Sequence, residues 1–192
     1  MAKVVFDMSM SVDGYVTGAN ARPPETGLGE GGEQLHEWFF NSADPRNHKI
    51  VESMKDTGVV LVGRTTYNHS IFYWGADGPS GARRLPTIIV SHHVPNDVPE
   101  NGVYTFVNNV EDAVVLAKKL EGDKVVGLMG GNIAQQAIML GLLDEIQVHI
   151  IPTLFGTGTR LIDDLLGKHA QLELLETIET KEAVHLRYRV VK

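Results

Sequence analysis

Cysteine is missing from all 192 residues. That absence excludes disulfides, zinc–thiolate and iron–sulfur centres, and any thiol nucleophile. Positive charge is also in short supply: 17 Lys and Arg stand against 24 Asp and Glu, for a formal charge of −7. Phosphate-backbone binders are as a rule net basic, so nucleic acid is not an expected partner, although a small basic pocket for one phosphate remains compatible. No apolar run is long enough to cross a bilayer, and no membrane contact is expected. The N-terminal MAKVVFDMSM has one lysine and too short an apolar stretch for a secretory signal, which makes the cytoplasm the expected compartment. In that compartment Asn68-His69-Ser70 is a chance sequon.

What is present reads as one domain over residues 1–192, with a composition ordinary for a soluble protein and no repeat, linker or low-complexity tract. KVVFDMS (3–9) is expected to form a buried strand, followed by a Gly/Pro-rich loop to about Gly32. Glu33 to Ser42 spaces Leu35, Trp38 and Phe39 as a short helix does, and Asp44-Pro45 reads as the N-cap and first residue of another. Compact apolar runs at VVLV (59–62), PTIIVS (86–91), VYTFV (103–107) and VVGLM (125–129) read as buried strands, with helices at 110–120 and 132–140. The last third changes character: EIQVHII (145–151), LELLETIET (172–180) and AVHLRYRVV (183–191) read as longer strands, the last two antiparallel. Alternating β and α followed by a β-rich tail predicts an α/β fold. Its sheet should be mostly parallel, flanked by helices, with an antiparallel extension at one edge.

Ligands of open α/β sheets lie beyond the carboxyl ends of the strands. Three strand ends here carry chemistry suited to phosphate. VVLV runs into Gly63-Arg64-Thr65-Thr66, which combines a close turn, a guanidinium fork and two hydroxyls at a helix start. TIIV runs into Ser91-His92-His93, and VVGLM into Gly130-Gly131-Asn132 at the start of the next helix. Together they suit a dinucleotide, with pyrophosphate near the glycines and an adenosine phosphate near Arg64 and Ser91.

Other motifs lead nowhere on inspection. GLGEGG (27–32) matches G-x-G-x-x-G but follows RPPET rather than a strand, and reads as a loop that closes over a site. His92-His93 has no third ligand at metal-binding spacing, and no metal is expected. Asp13-Gly14 is first of all a turn. Trp38-Phe39-Phe40 reads as core and pocket wall.

With these residues assembled, the chain resembles the dihydrofolate reductase-like superfamily. More closely, it resembles the branch that includes the C-terminal reductase domain of the bifunctional riboflavin-biosynthesis deaminase-reductase. SVDGYVTG (11–18), VLVGRTTY (60–67), PTIIVS (86–91) and GGNIAQQAIMLGLLDEIQVHIIPTLFGTG (130–158) carry the likeness. It implies a central sheet with an antiparallel C-terminal hairpin and NADPH laid across the strand ends. By position, Ser9, Val16 and Thr17 would flank the nicotinamide. Gly63, Arg64, Thr65 and Thr66 would hold phosphates, and Ser91 and His92 would lie near the adenosine 2′-phosphate. Met129, Gly130, Gly131, Asn132 and Ile133 would line the pyrophosphate and ribose. The likeness also has gaps. Where dihydrofolate reductases place a carboxylate in the first helix, this chain has Leu35 or, with a one-residue shift, His36, which argues against folate reduction. The zinc deaminase domain of that enzyme needs cysteine and is not expected here, and no further phosphate motif for a phosphoribosyl substrate is legible.

The expected activity is NADPH-dependent hydride transfer to a C=N or C=O carbon of a small, heterocyclic substrate, with His36 and Glu37 as candidate proton donors. The alternatives are a pyrimidine reductase of riboflavin biosynthesis and, in another class, an NADPH- or nucleotide-binding module without turnover. Family habit and the exposed C-terminal hairpin lead us to expect a homodimer.

Overall fold

The computed structural model describes residues 3–23, 25–120 and 122–192. Its centre is an eight-stranded sheet. In chain order the strands are β1 (Val4–Ser11), β2 (Thr57–Gly63), β3 (Thr87–Val90), β4 (Tyr104–Val107), β5 (Val125–Met129), β6 (Glu145–Ile151), β7 (Leu172–Glu179) and β8 (Val184–Val190). Across the sheet they lie in the order β4-β3-β2-β5-β1-β6-β8-β7. Every pair from β4 to β6 is parallel, while β6–β8 and β8–β7 are antiparallel. The expected architecture is therefore observed.

The parallel half is built from continuous apolar runs because helices cover both faces. In β2 the five residues Val59 to Gly63 are all buried. The helices are α1 (Glu37–Phe40), α2 (Pro45–Ser53), α3 (Arg64–Trp74), α4 (Val110–Leu120) and α5 (Gly131–Met139). Val110, Ala113, Val114 and Ala117 of α4 and Ile133, Ala134 and Ala137 of α5 pack on Val4, Phe6, Val126 and Leu128 of the central strands. The opposite face is closed by two smaller clusters, one around Leu35, Trp38 and Ile50, the other around Tyr67 and Ile71 of α3.

One local difference from the sequence reading has a plain cause. The expected helix over 33–42 is split into a 3-10 turn (Gly32–His36) and the single turn of α1. The entry residue, Gly31, is left-handed (φ 72°), and Leu35 and Trp38 must both reach the core from a short segment. Asp44 does cap α2, accepting from the Arg46 N–H with Pro45 in the first turn.

The glycine pair between β5 and α5 is needed by the chain itself. Gly130 adopts φ 113°, and a Cβ there would sit 2.8 Å from Thr66 Oγ1. At Gly131 a Cβ would lie 2.1 Å from the Leu161 carbonyl oxygen, because the 158–161 loop crosses directly over the start of α5. Gly131→Ala should therefore displace that loop and cost about 1–3 kcal/mol, as overpacking does; urea denaturation reads the loss, and an unchanged midpoint would contradict the close approach.

Candidate functional site

Because β1 to β6 run parallel, their carboxyl ends share one edge of the sheet. Arg64 opens α3 there and spans two strand ends. Its Nε donates to Asn68 Oδ1 (2.7 Å), and one terminal nitrogen donates to Ser91 Oγ (3.0 Å) and the His93 carbonyl (2.8 Å). The other terminal nitrogen has no protein acceptor among the described residues, and the side chain is only half-buried. A guanidinium held rigid on one side and open on the other is suited to an oxyanion.

Next to it, Gly63 and Gly130 lie back to back. A Cβ on Gly130 would be 3.6 Å from Gly63 N, and one on Gly63 would touch Ile133 at 3.4 Å. The helices that begin here, α3 and α5, both lack a side-chain N-cap. Their first N–H groups are left without intrahelical partners, at the positive ends of two helix dipoles on neighbouring strands. Thr65 is exposed and Thr66 half-buried beside them.

A loop pair closes the rim on the other side. Val16 N donates to the Thr159 carbonyl (2.8 Å), and Thr159 N donates to Thr17 Oγ1 (2.9 Å). The Arg160 guanidinium lies 4.7 Å over the Tyr15 ring. Since Leu161 of the same loop contacts Gly131, the segment 14–18 is brought against the start of α5. Asp13 locks this pair together: its carboxylate accepts from Ser11 Oγ (2.6 Å), Phe155 N (3.2 Å) and Gly156 N (2.7 Å). The Ser11 hydroxyl is the main cause of a carboxyl pKa held at about 2, with the two N–H groups adding to it and desolvation opposing. Asp13-Gly14 is thus a turn, as read, and also a clamp that the sequence reading missed.

The glycine-rich loop 27–32 is tied down beside Gly18. Gly18 N donates to the Leu28 carbonyl (2.8 Å), Glu30 N to the Ala19 carbonyl (2.8 Å), and the Gly27 carbonyl lies 2.7 Å from His69 Nδ1.

Most of the expected cofactor residues thus fall into one connected rim running from Ser91 through Arg64, Gly63, Thr66, Gly130 and Gly131 to Thr17. Met129 ends β5 within it, and Asn132 is exposed on the first turn of α5. Ile133 buries its side chain in the core, so a ligand would meet its main chain only. Ser9 lies on β1 with its hydroxyl buried, accepting from Trp38 Nε1 at 2.9 Å. His92 is exposed, with no side-chain hydrogen bond among the described residues.

Of the two proton-donor candidates, Glu37 is exposed and its carboxylate accepts from Asn41 Nδ2 (2.6 Å). His36 has a buried Nδ1 without a partner among the described residues. Burial, and then the charge of His149, push its pKa below the usual imidazole range. Among the described residues, no group of three or more His, Cys, Asp or Glu side chains is placed to hold a metal ion, and no helix is long and apolar enough to cross a membrane.

The family model of the RibD C-terminal domain matches residues 2–186. The chain belongs to that family. No curated protein matches by sequence. Among solved structures, a protein from Shewanella sp. PV-4 named for riboflavin biosynthesis is 20% identical with a TM-score of 0.69, each chain covered in full. The deaminase/5-amino-6-(5-phosphoribosylamino)uracil reductase of Thermotoga maritima is 11% identical with a TM-score of 0.63; the match takes in 99% of this chain and 57% of that longer one. A dihydrofolate reductase from Enterococcus faecalis, complexed with NADP(H), is 12% identical over 99% of this chain and 97% of its own, with a TM-score of 0.57. The dihydrofolate reductase-like fold read from the motifs is therefore the fold of this RibD C-terminal domain chain.

The Asp13 clamp has a defined pH signature. Its pKa is depressed in the folded state from 3.8 to about 2, so its contribution is complete above 3.8 and fades as pH falls through about 2. In Asp13→Ala the Phe155 and Gly156 amides should exchange hydrogen faster than in the parent protein at neutral pH, and the difference should vanish near pH 2. Equal exchange at neutral pH would mean the clamp holds nothing.

Proposed function

We propose that this protein is an NADPH-dependent reductase that transfers hydride to a C=N or C=O carbon of a small heterocyclic substrate. One observation carries the reading: two uncapped helix N-termini and a half-open guanidinium converge on neighbouring parallel strands, with glycines where a ligand backbone would pass. These residues fit a dinucleotide phosphate. The α3 and α5 N-termini would hold the pyrophosphate, and Arg64 with Ser91 and His92 would hold an extra phosphate on the adenosine ribose. Val16, Thr17 and Ser9 would border the nicotinamide. When bound, the cofactor would supply the hydride; the chain's part is to orient it, exclude water and provide a proton.

Membership of the RibD C-terminal domain family favours a narrower form of the same reading, reduction of a pyrimidine intermediate of riboflavin biosynthesis. The corresponding assay is NADPH oxidation with 5-amino-6-(5-phosphoribosylamino)uracil. NADPH should quench tryptophan fluorescence with saturation, and Arg64→Gln should weaken that binding about ten- to a hundredfold, the worth of one charged hydrogen bond, while leaving NADH binding nearly unchanged. No saturable NADPH binding at millimolar cofactor would end the proposal, and saturable binding with no oxidation across a carbonyl and imine panel would favour the binding-module alternative.

We further propose a homodimer formed through the β7 edge. That strand is exposed along almost its whole length, and Leu172 and Leu174 leave 40% and 56% of their surface uncovered. Light scattering should give twice the 21.0 kDa chain mass, and Leu174→Lys should give the monomer; a monomeric parent at micromolar concentration would refute the dimer.

A further inference from the structure

Beside Ser9, side chains that the phosphate rim does not use form one hydrogen-bonded line. Asp7 Oδ1 meets His149 Nε2 at 3.0 Å, His149 Nδ1 meets His185 Nδ1 at 2.7 Å, and His185 Nε2 meets Asn47 Oδ1 at 2.8 Å. Strand register places them. Ser9, His149 and His185 are cross-strand partners on β1, β6 and β8, and Asp7 precedes Ser9 by two residues on the same face. His149 and His185 are 1% and 4% exposed, whereas the Asp7 side chain is 29% exposed, so the line opens outward at Asp7. Trp38 roofs it, its ring 4.2 Å from that of His149 and its Nε1 on Ser9.

The number of protons in the line follows from its partners. An ionised Asp7 can only accept, so His149 Nε2 carries a hydrogen. Asn47 turns its Nδ2 toward Ser42 Oγ (2.8 Å) and Glu182 Oε2 (3.3 Å), which leaves its Oδ1 for His185; His185 Nε2 therefore carries a hydrogen too. Were both rings neutral, two bare Nδ1 lone pairs would face each other at 2.7 Å in the protein interior. A third proton must lie between them. Three protons on four ring nitrogens make one positive charge, balanced by Asp7. The same three protons satisfy every bond equally well if one moves from His149 Nε2 onto the Asp7 carboxyl. The two states differ by a single transfer along an existing hydrogen bond.

We infer that Asp7 and His149 form the proton supply of the reductase, drawn on at Asp7 and held in readiness by His185 and Asn47. The inference rests on the reductase reading. Hydride addition to the carbon of a C=N acceptor moves the π pair onto nitrogen, and that nitrogen takes the proton of the Asp7 carboxyl. His149 is then left neutral, with its Nδ1–H still on His185 and a bare Nε2 facing a carboxylate. That repulsion recruits one proton from water through the exposed edge of Asp7 and restores the resting state.

The surroundings agree. Burial, followed by the charge of His149, lowers the His185 pKa to about 4, which disfavours a charge on that ring. Burial and then the charge of His149 lower the pKa of His36, in the 3-10 turn, and so disfavour a competing charge there. Asp44 at the start of α2 and Glu182 between β7 and β8 supply negative charge around the Asn47 end. Lys49, Glu176 and Arg187 line, together with His185, a cavity of about 280 Å³, and Arg187 is itself paired with Glu145 at 2.6 Å.

The test needs no variant to begin. In ligand-free protein with 15N-labelled histidine, His149 should appear as an imidazolium, sharing one strongly deshielded proton with His185 Nδ1 near neutral pH. Asp7→Asn keeps every hydrogen bond, since its amide can donate to His149 Nε2, but cannot pass a proton on. His149 should then become neutral with the shared proton retained. NADPH should still bind, and turnover of 5-amino-6-(5-phosphoribosylamino)uracil should fall at least about 100-fold, as loss of general acid catalysis does. Two neutral, unlinked imidazoles in the parent protein would overturn the relay, as would near-parental turnover by Asp7→Asn, even if the enzyme reduces its substrate. A shared proton in a protein that never consumes NADPH would instead overturn the reductase reading, and with it the use made of that proton.

Discussion

Six strands that run the same way put six carboxyl ends on one edge of the sheet, and everything proposed for the site depends on that constraint. A parallel ladder cannot be closed by tight hairpins, so each strand is followed by a crossover, and those after β2 and β5 place uncapped helix N-termini side by side on the shared edge. Those helix starts bring orphan N–H groups and positive dipole ends to one place without spending a charged residue on it. That explains how a chain with a net charge of −7 can still present a locally cationic rim that relies on few fixed side-chain charges, Arg64 among them.

The two faces of the central strands serve different ends. On one, Phe6, Val126 and Leu128 join α4 and α5 in a wholly apolar layer. On the other, the alternation of β1 sends Asp7, Ser9 and Ser11 toward α1 and α2, and β6 and β8 add His149 and His185 to the same face. Ser9 and Ser11 are 5% and 0% exposed, so this polar layer is interior rather than surface. Polar groups that deep are tolerated only when paired, and Trp38 provides part of the pairing through Nε1 while sealing the imidazoles with its ring.

Much of this was legible from residue order. The strand runs, the two crossover helices at 110–120 and after Gly130, and the antiparallel tail follow from hydrophobic period and length, because those segments are buried on known faces. The rim was legible in outline from Gly63-Arg64, Ser91 and Gly130-Gly131. What the sequence did not reveal is why Gly131 is glycine: the neighbour that forbids a side chain is the carbonyl of Leu161, thirty positions on, and its approach is a tertiary fact. Asp13 shows the same limit, since its partners Phe155 and Gly156 are remote in the chain. The histidine line did leave a signal. Asp7, His149 and His185 each stand between two apolar residues of a strand (Phe6 and Met8, Val148 and Ile150, Val184 and Leu186), and a titratable residue placed so must find a partner. Only the register of β1, β6 and β8 says that the partners are one another.

A buried histidine pair has a plain alternative use, to fix strand register through a bond that only one alignment satisfies, and the cost of its charge bears on the choice. For register alone, a neutral pair of hydroxyl or amide side chains would serve with no need for a counter-ion. Here the line ends at a carboxylate that reaches the outside, and its hydrogen bonds are satisfied only when one mobile proton is added. The other end is closed by Asn47, an amide that cannot take that proton, and Glu182 holds the amide in the orientation that blocks the exit. A line sealed at one end and open at the other gives its proton a direction, toward Asp7 and the face shared with Ser9. A merely structural pair has no need of such a direction, whereas a reductase that must protonate what it has reduced does.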